Sequence, residues 1–165
     1  MNVTTSERSP QPQPPATRTT RQRQADTRAL LQSEVDLWVA SADEQGAAYL
    51  VPLSYYWDGA RLVMATPEDS RTTRNLRRAG QARVGLAPTR DVVLIDGPLA
   101  FVAAAELDQA LGDAHAAATA FDARPLPEPY VYILLTPERI QAWRTAAELR
   151  GRTIMRDGEW LASKG

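Results

Sequence analysis

The sequence of 165 residues predicts a mainly β domain, an antiparallel barrel with a few peripheral helices. Apolar, β-branched and aromatic runs follow one another directly, and the turns between them are of the Asp-Gly and Gln-Gly kind. No crossover helix recurs between successive runs, which disfavours a doubly wound parallel sheet. No internal repeat is present, and the consecutive strands fit a closed antiparallel barrel.

Taken in order, residues 1–24 read as a disordered tail. Ser9-Pro10-Gln11-Pro12-Gln13-Pro14-Pro15 has no large apolar side chain to repay ordering, and Arg8, Arg18, Arg21 and Arg23 make the segment mildly basic. The domain is expected over residues 25–165. A short helix is predicted from Asp26 to Gln32, capped by Asp26. Strands follow at 35–40, 48–57 and 61–66, joined by Asp43-Glu44-Gln45-Gly46 and Asp58-Gly59. Pro52 cannot donate to a ladder, so the second run lies at an edge or bulges there. Ser70 to Ala79 is a helix with Leu76 inward and its arginines outward, stopped by Gly80. Further strands are predicted at 82–86, 92–95, 99–103, 130–135 and 139–143. An alanine-rich helix spans Glu106 to Phe121, and a terminal hairpin turns over Asp157-Gly158.

Composition narrows the chemistry. With no cysteine, disulfides, thiolate metal sites, iron–sulfur clusters and cysteine nucleophiles are excluded. His115 is the single histidine, which leaves neither an imidazole metal cluster nor a catalytic triad a basis, so no metal is expected. His115 itself reads as a surface residue. The net charge of -1 offers no general attraction to nucleic acid or to an anionic membrane, and no apolar run approaches membrane-spanning length. A cytoplasmic location is the default expectation. Chemistry is left to hydroxyls, carboxylates, arginines or a borrowed cofactor.

The most informative stretch joins a strand end to a helix start: Thr66-Pro67-Glu68-Asp69-Ser70-Arg71-Thr72-Thr73-Arg74-Asn75. Free amides at a helix N-terminus attract anions, and here hydroxyls and two guanidinium groups surround them. This combination suits a phosphate monoester. A capped helix with solvated arginines is the other reading of the same residues.

The order of motifs along the chain resembles the pyridoxamine 5'-phosphate oxidase-like family of flavin-binding split barrels. The resemblance rests on Pro52-Leu53-Ser54-Tyr55-Tyr56-Trp57-Asp58-Gly59, the strand ending at Thr66, Thr72-x-Arg74-Asn75-Leu76, Asp91-Val92-Val93, and Pro137-Glu138-Arg139-Ile140-Gln141-Ala142-Trp143-Arg144. It covers roughly residues 27 to 162. It implies a six-stranded Greek-key split barrel, a homodimer, and FMN at the subunit seam, with the deazaflavin coenzyme F420 as alternative cofactor. It further implies an oxidoreductase acting on a small molecule. Val51, Pro52, Leu53 and Ser54 would meet the ring, and Thr66 the ribityl or phosphate end. Ser70, Arg71, Thr72, Arg74 and Asn75 would take the phosphate, with Trp143 and Arg144 reaching over from the partner. Many members carry arginine and lysine where this chain has Ser70 and Thr72, which leaves two expectations: Arg71 and Arg74 supply the charge, or the cofactor is bound weakly or not at all. The resemblance designates no catalytic residue. A non-enzymatic carrier of flavin or haem is the rival of another class.

Overall fold

A computed structural model describes residues 16–86 and 88–162. Among them are nine strands and three α-helices: α1 (Thr20–Ser33), β1 (Asp36–Ala42), β2 (Ala48–Trp57), β3 (Leu62–Pro67), α2 (Arg71–Ala79), β4 (Gln81–Leu86), β5 (Val92–Ala103), α3 (Gln109–Thr119), β6 (Tyr130–Leu135), β7 (Arg139–Trp143), β8 (Thr153–Arg156) and β9 (Glu159–Trp160). All pairings are antiparallel.

Six strands close a ring in the order β1-β2-β3-β6-β5-β4, with β4 returning to β1. The neighbour of β3 is β6 rather than β4, which is the Greek-key crossover. Closure depends on β5. Its first half pairs with β4 and β7, while its second half, Leu99 to Ala103, pairs with β6. The sequence predicts two strands separated by Gly97-Pro98, but the structure has one strand that bends there. Proline's missing amide is tolerated because Pro98 still accepts from the Thr136 amide. Gly97 allows the close approach: a Cβ on it would stand 1.9 Å from the Thr136 carbonyl oxygen.

Alternation places one side chain in two inside the barrel. Leu37 and Val39, Tyr55, Leu62 and Met64, Val84 and Leu86, Val93 and Ile95, and Ile133 and Leu135 make the core. The Tyr55 hydroxyl is buried, which raises its pKa above the ordinary phenol value. A smaller cluster lies outside the barrel under α3, where Val63, Tyr132 and Leu134 meet Leu107 and Leu111. His115 belongs to that layer. It is 1% exposed, not at the surface as expected, and its ring stands edge-on to Tyr132 with centroids 5.1 Å apart.

The N-terminal boundary needs correction. Residues 1–15 of the expected tail lie outside the described residues. Residues 16–24 do not continue a tail: α1 begins at Thr20, six residues before Asp26. Thr19 caps it through a reciprocal box with Gln22. Arg23 and Gln24 are buried, at 6% and 8% exposure. Both are long polar side chains that go inside because their donors find backbone carbonyls there, Ala142 and Gly151 for Arg23, Ile154 and Leu161 for Gln24.

Candidate functional site

The barrel is split between β2 and β3. Their ladder holds only Tyr55–Met64, Tyr56–Val63 and Trp57–Leu62. Beyond Tyr55 the chain of β2 turns to β1, pairing from Ser54 with Asp36 to Ala48 with Ala42. On the other flank β3 stays with β6 as far as Pro67. The strand edges of 48–54 and 65–67 therefore diverge without pairing to each other. Pro52 lies in the one-sided part, as its missing amide requires.

Alternation sorts the four residues expected at the ring. Val51 and Leu53 pack inward against the core, while Pro52 is exposed on the outer face. Ser54 is on the outer face too, where its hydroxyl donates to Asp36 at 2.6 Å. What these residues present to the split is backbone.

Thr66 ends β3 beside the start of α2. Its hydroxyl meets that of Ser70 at 3.2 Å. Ser70 is the N-cap and accepts from the Thr73 amide, and the Thr73 hydroxyl donates to the Pro67 carbonyl. Thr72 and Asn75 are buried, and Asn75 donates to the Ser41 hydroxyl. The first two helical amides, of Arg71 and Thr72, are used by neither the cap nor the helix among the described hydrogen bonds.

The arginines do not converge on that point. Arg71 pairs with Asp43 at 3.0 Å and lies over the Tyr49 ring. The Ala47 amide above all, with the Gln45 amide and Arg71, holds the Asp43 carboxyl below the ordinary carboxylate range. Arg74 bonds the Asp69 carbonyl, Arg77 pairs with Glu68, and Arg78 bonds the Ala42 carbonyl. The hydroxyls and amides of the expected phosphate cradle are thus together, and its two cations lean away along the helix. Residues that could hold a flavin phosphate here are Ser70, Thr72 and the amides at the start of α2. The open backbone edges and these free amides fit such a group, while Arg71 and Arg74 are engaged elsewhere.

Trp143 ends β7 and Arg144 follows it, on the far side of β5 from β4. Trp143 is half-buried, with the Arg152 guanidinium 5.4 Å from its ring centre. Arg144 is already engaged: it pairs with Asp91 at 2.7 Å and with Asp26 at 3.3 Å. Neither residue is brought to the split within one chain. Behind them lies an ion-pair network whose members the sequence places in separate motifs and does not connect. Arg18 binds Glu148, Asp26 and Asp91 together. Burial opposes ionisation of Glu148, but the Arg18 guanidinium and amide and the Arg144 amide outweigh it and bring the carboxyl to about 2.

The outer faces of β1, β2, β4 and β5 form an apolar surface. Trp38 and Leu50 are 46% and 58% exposed, and with Gly85, Val92 and Leu94 they line a depression of about 500 Å³. At its rim Arg83 and Asp96 pair through two bonds, at 2.6 and 3.0 Å.

The family model described as "Pyridoxamine 5'-phosphate oxidase" matches residues 24–144. No curated protein matches the chain. Among solved structures, one titled a putative pyridoxamine 5'-phosphate oxidase from Listeria innocua is 17% identical with a TM-score of 0.59, covering 73% of this chain and 98% of that one. A haem-binding protein from Mycobacterium smegmatis is 19% identical with a TM-score of 0.63, covering 81% of this chain and 57% of that one. A structure titled F420 reductase is 16% identical with a TM-score of 0.51, covering 68% and 93%. At these identities the structural likeness speaks for the fold. With the family model matched across most of the barrel, the chain belongs to the pyridoxamine 5'-phosphate oxidase family and has its split-barrel fold.

Proposed function

We propose that the chain is an FMN-dependent oxidoreductase that works as a homodimer on a small-molecule substrate. The observation that carries this reading is the split itself: two strand edges, 48–54 and 65–67, diverge with their backbone groups unpaired to each other beside free amides at a helix start. A flat heteroaromatic ring edged with donors and acceptors is a natural occupant of such a gap, since it satisfies backbone groups that a sheet would otherwise pair. An attached phosphate would then fall at the start of α2, where the amides of Arg71 and Thr72 and the helix dipole favour negative charge.

A bound flavin supplies the electron or hydride transfer, which suits a chain with no cysteine and one histidine. The protein's own residues bind, orient and exclude water. Val51 and Leu53 anchor their strand in the core and offer backbone to the ring, Thr72 and Ser70 hold the phosphate, and Arg71 and Arg74 turn from Asp43 and the Asp69 carbonyl to neutralise it. A second copy would cover Trp38, Leu50 and Leu94, bringing its own Trp143 toward the split.

Titration of the purified protein with FMN, read by quenching of flavin fluorescence, tests this directly. Saturable binding at one site per chain is expected, and Thr72→Ala should weaken it roughly tenfold or more, the worth of one charge-assisted hydrogen bond. Saturable binding of F420 with none of FMN would transfer the same site to the deazaflavin. Binding of haem alone would replace the reading with the carrier. Imidazole ligation is not at hand for haem, because His115 is enclosed under α3 rather than turned toward the split.

A further inference from the structure

The segment that composition assigns to a solvated tail makes a series of buried attachments, and all of them reach one part of the molecule. The Arg18 amide and Nε donate to Glu148 Oε1 at 2.8 and 3.2 Å, and Nη2 donates to Oε2 at 3.0 Å. The Glu148 side chain is 1% exposed and that of Arg18 9%. The same carboxylate accepts the Arg144 amide at 2.7 Å, so the residue after Trp143 is tied to Arg18 through one buried group. The residue before Trp143 is tied as well: Arg23 Nη1 donates to the Ala142 carbonyl at 3.3 Å and to the Gly151 carbonyl at 3.0 Å. Gln24 fastens the strands that follow, through Ile154 and Leu161. Trp143 thus stands between two backbone groups held from the N-terminal segment, across more than a hundred residues of chain.

β7 is paired to β5 up to Val92–Trp143, where that ladder ends, and sheet pairing is weak beyond it. β7 meets β8 through a short ladder with a register shift between Ile140 and Gln141, and β9 is two residues long. Arms of this kind open at low free energy unless something braces them. Charge placement points the same way. Asp26 and Asp91 complete the network around Arg18 and Arg144, with the Arg144 side chain still partly exposed. Trp143 beside it is half-buried, with the Arg152 guanidinium over its ring.

We infer that Arg18, acting through Glu148, is a positioning residue for the cofactor: it fixes the backbone on which Trp143 is presented to the flavin of the partner subunit. This rests on the proposal above that Trp143 borders the cofactor. It gives residues 18–24 a role in the site.

The test is a double-mutant cycle on FMN affinity in the full-length protein, measured well below the unfolding temperature of every variant. Arg18→Ala and Trp143→Ala should each weaken binding, on the order of tenfold, and the double variant should be no weaker than Trp143→Ala alone. Arg18→Lys, which keeps the charge, should recover part of the loss. Hydrogen exchange should show faster exchange in 142–156 of Arg18→Ala with β1–β6 unchanged, which establishes that the barrel is intact. Additive losses, or a loss in Arg18→Ala with none in Trp143→Ala, overturn the positioning role and leave the flavin site standing. Failure of the unaltered protein to bind FMN overturns both.

Discussion

Gly97 shows at the residue scale how little room the barrel leaves. An alanine Cβ there meets backbone, the Thr136 carbonyl oxygen at 1.9 Å and its carbon at 2.8 Å, so no side-chain rotation relieves it. Gly97→Ala should cost about 3 kcal/mol, read from urea unfolding, and a loss under half of that would mean β5 can shift past β6. His115 gives the pH dependence. Burial lowers its pKa below the ordinary imidazole value, against the opposing pull of the Phe121 backbone and Asp122, while Arg124 adds to the lowering. Tyr132 faces it from β6, Asp113 lies on its own helix, and both ring nitrogens lack a hydrogen-bond partner. The unfolded chain therefore takes up the proton first. Its contribution to stability is complete above about pH 6.5 and declines as pH falls below that. His115→Leu should flatten the fall in melting temperature between pH 7 and 5; an unchanged slope would assign that fall to other groups. Glu148 has the same sign in a lower window: its stabilisation holds above its unfolded value near 4.5 and is lost as pH falls toward about 2.

Among the elements, α2 is the one whose start carries the proposed phosphate site. Ser70 caps it, and the cap orders the two free amides beside Thr66. Ser70→Ala should cost about 1 kcal/mol, a fall of roughly 2–4 °C in melting temperature for a chain of this size. It should also weaken FMN binding, whereas retention of full affinity would place the phosphate elsewhere. The helix itself was legible in the sequence, from Ser70 to its Gly80 stop, because cap, apolar Leu76 and terminator are local signals. The direction of its arginines was not, since Asp43, which holds Arg71, is 28 residues away. The start of α1 was written locally in Thr19 and Gln22, yet composition pointed the other way. Arginine and glutamine read as solvated until a backbone on the other side of the fold offers them carbonyls.

For the whole molecule, the exposed face of β1, β2, β4 and β5 is the feature that one chain leaves unfinished. Trp38 and Leu50 are more exposed than isolated apolar side chains need to be, and they adjoin a depression of about 500 Å³ rather than standing apart. In the proposed homodimer a second copy covers this face. Leu50→Glu should turn a dimer into a monomer in analytical ultracentrifugation and release FMN with it, since Trp143 would lose its place over the partner's split. A native chain that sediments as a monomer while holding FMN would refute both the interface and the shared site.

Strand positions, the absence of thiol chemistry and the hydroxyl-rich start of α2 were all decided by the sequence itself, because each depends on residue type and on neighbours a few positions away. The split between β2 and β3, the burial of His115 and the hold of Arg18 and Arg23 on the flanks of Trp143 were decided only by the tertiary structure. Each of these depends on what stands opposite in space, and a buried charge finds its partner through folding, not through spacing along the chain.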